Sequence, residues 1–145
     1  MGTGEDSYDP TAATHRALRG IRQELERHPI VTTVRGFPAG EFTRVRATLD
    51  LSRWGIERAD ATLSVRWFAG DTADARPEFS FHYSDAQTDF GWHHEPNPHV
   101  DGWGHFQART TAEEYTYEAQ FFATTNPTRL VWEVMSLLRS RFDAE

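Results

Sequence analysis

Apolar and polar side chains alternate along most of the middle of this chain, and that period of two constrains the fold more than any other feature. In Glu41–Leu51, Val45, Ala47, Leu49 and Leu51 fall on one side, with Arg44, Arg46, Thr48 and Asp50 on the other. Ala61–Phe68 sets Leu63, Val65 and Trp67 against Thr62, Ser64 and Arg66. Glu78–Ser84 sets Phe79, Phe81 and Tyr83 against Ser80, His82 and Ser84. Trp103–Arg109 and Tyr115–Phe122 repeat the pattern, and Ile30–Arg35 is a short β-branched run. Such alternation belongs to strands with one face buried and one face wet. Pro38-Ala39-Gly40 reads as a turn, and Ser52–Asp60 and Gly70–Pro77 as connectors. Short connections between successive strands call for antiparallel pairing.

The period changes at both ends. Asp9-Pro10 has the form of an N-cap followed by proline at the first helical position, and Asn126-Pro127 repeats it. Leu18, Ile21 and Leu25 make one stripe, and His28-Pro29 ends that helix. His28 is expected to be solvated there. Leu130, Val131, Val134, Leu137, Leu138 and Phe142 make the second stripe. The expectation is an α+β fold: a single antiparallel sheet of five or six strands, with the N-terminal and C-terminal helices packed on one face. Residues 1–8 read as a disordered tail and residues 9–145 as a single domain.

The charge balance narrows the setting. The net charge is −7, yet all 15 basic residues are arginine, and cysteine is absent. Disulfides and thiolate metal sites are thereby excluded. An acidic, lysine-free chain suits a high-salt cytoplasm, a GC-rich genome, or both. No apolar run approaches the ~20 residues of a membrane span, and MGTGEDSYDP lacks the build of a signal peptide. These features imply a cytoplasmic protein with no membrane partner. The negative sign opposes broad binding to nucleic acid but leaves room for a local arginine-lined site.

Phe90–Phe106, FGWHHEPNPHVDGWGHF, reads as a rigid loop holding His93, His94, His99 and His105, with Trp92 and Trp103. If Phe81 and Phe106 face the helices, strand parity sends His82 and His105 to the other side. Arg66, Arg109 and either Arg44 or Arg46 follow them. Three readings of the cluster stay open. Paired imidazoles beside arginines suit metal-free acid–base cleavage of a phosphodiester, with RNA supplying its own 2′-hydroxyl nucleophile and Trp92 or Trp103 stacking on a base. Alternatively, His93, His94, His99 and His105 offer ligands to a divalent transition metal, although Pro96 and Pro98 rule out the helical HExxH arrangement. The third reading is a non-catalytic binding or regulatory module whose Trp/His loop grips a partner, and beside it stands a purely structural lid in which His93 and His94 bond to backbone or to Glu95 and Asp101. Glycine-rich phosphate loops, cysteine nucleophiles and serine elbows are absent.

Tyr83-Ser84-Asp85, His93-His94, Pro98-His99 and the closing His105 resemble the TumE-like toxins, in a halophilic archaeal branch, over about residues 60–110. Those proteins carry a tyrosine–aspartate strand end followed by a histidine-rich, proline-containing loop. Here Ser84 separates the tyrosine from the aspartate, and an N-terminal helix is added. The resemblance implies a cytoplasmic toxin, paired with an antitoxin and acting on RNA. Together the residue reading and the resemblance nominate His82, His105, His94 and Asp85 as catalytic. They nominate Arg66, Arg109, Tyr83, Trp92, Trp103, His93 and His99 as binding residues.

Overall fold

A computed structural model describes residues 7–37, 44–110 and 114–144. Helix α1 (Pro10–Glu26) precedes seven strands and helix α2 (Pro127–Asp143). The strands are β1 (Val31–Phe37), β2 (Arg44–Leu49), β3 (Thr62–Phe68), β4 (Glu78–Ser84), β5 (Asp89–His94), β6 (Gly104–Arg109) and β7 (Tyr115–Ala119). They form one sheet in sequence order, every neighbouring pair antiparallel. The expected α+β class holds, but the strand count of five or six does not. The additional strand is β5, which sequence alternation assigned to a loop. Its inward side chains are Phe90, Trp92 and His94, and its outward positions include Gly91 and His93. A glycine and two histidines hide the period. The true connection between β5 and β6 is the shorter stretch 95–103. Pro38-Ala39-Gly40 and the start of the Glu41–Leu51 run lie outside the described residues, as do residues 1–6. Tyr8, placed in the tail by sequence, donates a hydrogen bond to the Gly70 carbonyl at 2.8 Å.

Both helices begin as their caps direct. The Asp9 carboxylate accepts from the Thr11 and Ala12 amides, and Asn126 Oδ1 accepts from Thr128 and Arg129. Each satisfies donors that the first helical turn leaves open. Leu18, Ile21 and Leu25 of α1 are fully buried, as are Leu130, Val131, Val134 and Leu138 of α2. The cross-sheet row Val45–Val65–Phe81–Trp92–Phe106 lies in strand register under this layer. Phe142 of α2 closes it at the far end, with its ring 5.4 Å from Tyr83 and 6.1 Å from Phe90. His28 is not solvated as expected. It is half-buried between Trp54 and Trp132, at 6.1 and 5.1 Å, and burial lowers its pKa. Trp132 donates to Glu24 at 2.7 Å and so ties α2 to α1.

Candidate functional site on the open sheet face

With both helices on one side, the opposite face presents three registered rows. The first runs Arg44–Arg66–Ser80–His93–His105. The second runs Arg35–Arg46–Ser64–His82–Gly91–Gln107–Tyr117. The third ends in Ser84–Asp89, beside Arg109. Arg44 stands directly across from Arg66, and Arg35 directly across from Arg46. Like charges opposite one another are unfavourable in a sheet. A net-negative chain thus gathers four guanidiniums on one half of one face.

The imidazoles occupy the other half. His82 Nε2–H donates a short hydrogen bond to the Asp89 carboxylate, whose second oxygen lies 3.3 Å from the Arg109 guanidinium. Arg109 in turn donates to the Tyr115 hydroxyl at 2.7 Å. The His82 ring lies over Gly91, where an added Cβ would fall 2.6 Å from Nδ1 and 2.8 Å from the Phe81 carbonyl. Gly91 is thus the space into which the ring fits. His93 comes next, its ring 5.8 Å from His82 and stacked on His105 at 5.2 Å. Glu95 lies 3.5 Å from His93 Nδ1, while Nε2 is enclosed without a hydrogen bond among the described residues. A cleft of about 330 Å³ opens beside it, lined by Arg66, Phe68, Ser80, His93 and Glu95.

Burial, then the neighbouring His105 and His82, lower the His93 pKa to about 4. The ring is neutral near pH 7 and can accept a proton or a hydrogen bond. A histidine whose folded pKa lies below its unfolded value near 6.5 contributes stability above pH 6.5, and that contribution is lost as pH falls toward 4. Urea unfolding at pH 7 and pH 4.5 is expected to show a loss on the order of 2–3 kcal/mol from this residue. His93→Gln should shrink that difference.

The sequence-nominated residues do not all meet. His82, His93 and His105 share the open face with Arg66 and Arg109, as parity requires. His105, nominated as catalytic, is only 1% exposed. Its Nδ1 donates to the Trp103 carbonyl at 3.3 Å, and Asn97 donates to its Nε2 at 3.4 Å. It positions His93 by stacking and has no free edge for a substrate. His99 stacks on Tyr117 at 4.3 Å, as an outer cover. His94 faces the helix side, stacked on Phe79 at 4.9 Å, and donates from Nδ1 to the Pro77 carbonyl at 2.7 Å. A one-residue step in a strand puts it opposite His93. Trp103 sits with it, 5.3 Å from the His94 ring. Trp92 is 2% exposed and cannot receive a base from outside. Asp85 organises the β4–β5 turn, accepting from Tyr83 Oη, the Gln87 and Thr88 amides and the Thr88 hydroxyl. Tyr83 is fully buried. Among the described residues no group of three His, Asp or Glu is arranged to hold a metal ion.

Sequence reading missed Asp89 and Arg35 as contributors, and saw Glu95 only as a hydrogen-bond partner or ligand beside the loop histidines. Asp89 opens β5, paired with Ser84. Its signal was the short turn after Ser84, which returns the chain so that 89, 91 and 93 share a face with 80, 82 and 84.

The fold and face together define an α+β protein with a seven-stranded antiparallel sheet, open on an arginine–histidine side. Comparison of the chain with family models, with curated proteins and with solved structures returns no match. No described helix is long and apolar enough to cross a membrane.

Proposed function

We propose that the open face binds single-stranded RNA and cleaves it by metal-free acid–base chemistry, as a toxin-like protein held in check by a partner antitoxin in the cytoplasm. One observation carries this reading: four arginines stand in register with two imidazole–carboxylate pairs, His82–Asp89 and His93–Glu95, on one uncovered face. In the reaction the 2′-oxygen attacks phosphorus, the bond to the 5′-oxygen breaks, and a 2′,3′-cyclic phosphate forms. One pair removes the 2′-hydroxyl proton, and the other delivers a proton to the departing 5′-oxygen. Arg66, beside the His93 cleft, and Arg109, behind Asp89, supply cations toward the charge that grows on the phosphoryl oxygens.

The test is incubation of a labelled single-stranded RNA with purified protein, alongside growth of cells carrying an inducible copy. Cleavage and growth arrest support the reading; intact RNA with a folded, concentrated protein removes it. Binding should weaken with salt. Four phosphate contacts give a slope of about −3 in log K against log salt, and Arg66→Ala should reduce its magnitude by about 0.7. A slope near zero would contradict the arginine face.

A second reading has two observations in its favour. His105 is sealed and His93 Nε2 is enclosed, which suits a rigid binding surface without chemistry. RNA bound with the expected salt slope but never cleaved selects that reading.

A further inference from the structure

The helix side of the same sheet end holds a cleft that the arginine–histidine face does not use. It has a volume of about 370 Å³, and its lining includes Arg76, His94, Asp101, Trp103, Gln120 and Phe121. That size lies within the range of about 300–1,000 Å³ typical of small-molecule sites. Phe121 is 85% exposed, although large apolar rings are ordinarily covered. Trp103 is half-buried, with the exposed Arg76 guanidinium 5.2 Å above its ring. An aromatic platform, a second exposed ring and an exposed cation suit a flat ligand bearing a negative charge.

His94 adds a polar direction. Its Nδ1 must donate, because the Pro77 carbonyl can only accept. The other nitrogen, Nε2, is then a lone-pair acceptor. Burial outweighs the carbonyl's opposing effect and lowers the His94 pKa, which keeps that lone pair available at neutral pH. A lone-pair acceptor on a residue that lines the cleft favours a ring with an amino edge.

The cleft also lies close to the open-face site. His94 lines one and His93 the other, and they are consecutive residues on opposite faces of β5. Arg76 and Pro77 lead into Glu78, which lines the His93 cleft. Both openings are at the sheet end bounded by the Phe68↔Glu78 and His94↔Gly104 pairs.

We propose that this cleft is a base-binding subsite, taking one unpaired amino-bearing nucleobase, adenine or cytosine, stacked against Trp103 with its phosphate near Arg76. The identity of the ligand rests on the reading of the open face as an RNA site. The subsite itself is tested without any cleavage.

Adenosine 5′-monophosphate, uridine 5′-monophosphate and ribose 5-phosphate are titrated into the intact protein by calorimetry, with the indole N–H resonance of Trp103 followed by NMR. Adenosine monophosphate is expected to bind, to shift that resonance, and to bind more tightly than the other two. Trp103→Ala should weaken it by about tenfold or more, with Trp103→Phe recovering part of the loss. Phe121→Ser, at a position too exposed to support the core, should also weaken it, and circular dichroism checks that each variant is folded. Absence of binding at millimolar adenosine monophosphate, or affinity unchanged in Trp103→Ala and Phe121→Ser, overturns the inference. The two failures separate cleanly. If the protein binds the nucleotide through Trp103 but leaves RNA intact, the cleavage reading fails and the subsite stands. If it cleaves RNA with an unchanged KM in both variants, the subsite fails and the cleavage reading stands.

Discussion

His82→Ala is expected to lower the rate of RNA cleavage by about 10²–10⁴-fold, the usual loss when a positioned proton-transfer group is removed. His82 is the nominated imidazole best placed for chemistry. Its side chain is 26% exposed, Asp89 fixes one ring nitrogen, and Gly91 leaves the ring room on the sheet. The substitution removes a wet-face side chain and leaves Asp89 still beside Arg109, so the fold should persist. Asp89→Asn should cost less than His82→Ala, and the double variant little more than His82→Ala, because the two residues act as a unit. Under the proposed function the loss belongs in kcat, since the substitution leaves the arginines of the face untouched. Single-turnover cleavage of a labelled oligonucleotide measures it. A rate within twofold of wild type would remove His82 from the chemistry.

Asp85→Ala is expected to cost about 3–4 kcal/mol of folding stability, within the range for breaking a buried ion pair. The Asp85 side chain is fully buried, 3.7 Å from the Arg58 guanidinium, which is itself 14% exposed. Alanine would remove one partner each from that cation, from the hydroxyl of the fully buried Tyr83, and from the two turn amides that Asp85 accepts. Burial alone would raise the Asp85 pKa. The hydrogen bonds from Tyr83, Gln87 and Thr88 outweigh it and hold the carboxyl below its ordinary value. A carboxyl depressed in the folded state contributes stability above its unfolded pKa, near 3.9, and loses it as pH falls below that value through the lower folded pKa. Urea unfolding at pH 7 gives the cost directly. Activity per folded molecule should be unchanged, which separates this turn from the site. A loss under 1 kcal/mol would mean that the turn is held by other contacts.

Asp85 and His82 also mark how far the sequence could be read. The caps at Asp9 and Asn126 and the bounds of β4 follow from local chemistry, because each depends on a few adjacent residues. Strand parity placed His82, His105, Arg66 and Arg109 on one face for the same reason. Parity is silent on what lies above a residue. His105 was sealed by Asn97 and by its neighbours across β5 and β7, contacts that depend on register. Gly91, His93 and His94 masked β5, so His94 was grouped with His93 although the pleat separates them. Asp89 and Arg35 emerged only with pairing: Asp89 through the turn that Asp85 holds, Arg35 through its register with Arg46.

The most direct test of the proposed cleavage is to incubate wild-type protein with single-stranded RNA and identify any new ends. Mass spectrometry of the products should find 2′,3′-cyclic phosphates facing 5′-hydroxyls, and a substrate with a 2′-deoxy substitution at the cleaved position should survive. Products ending in 5′-phosphate, or equal cleavage of the deoxy substrate, would contradict transfer to the 2′-oxygen at the His82–His93 face.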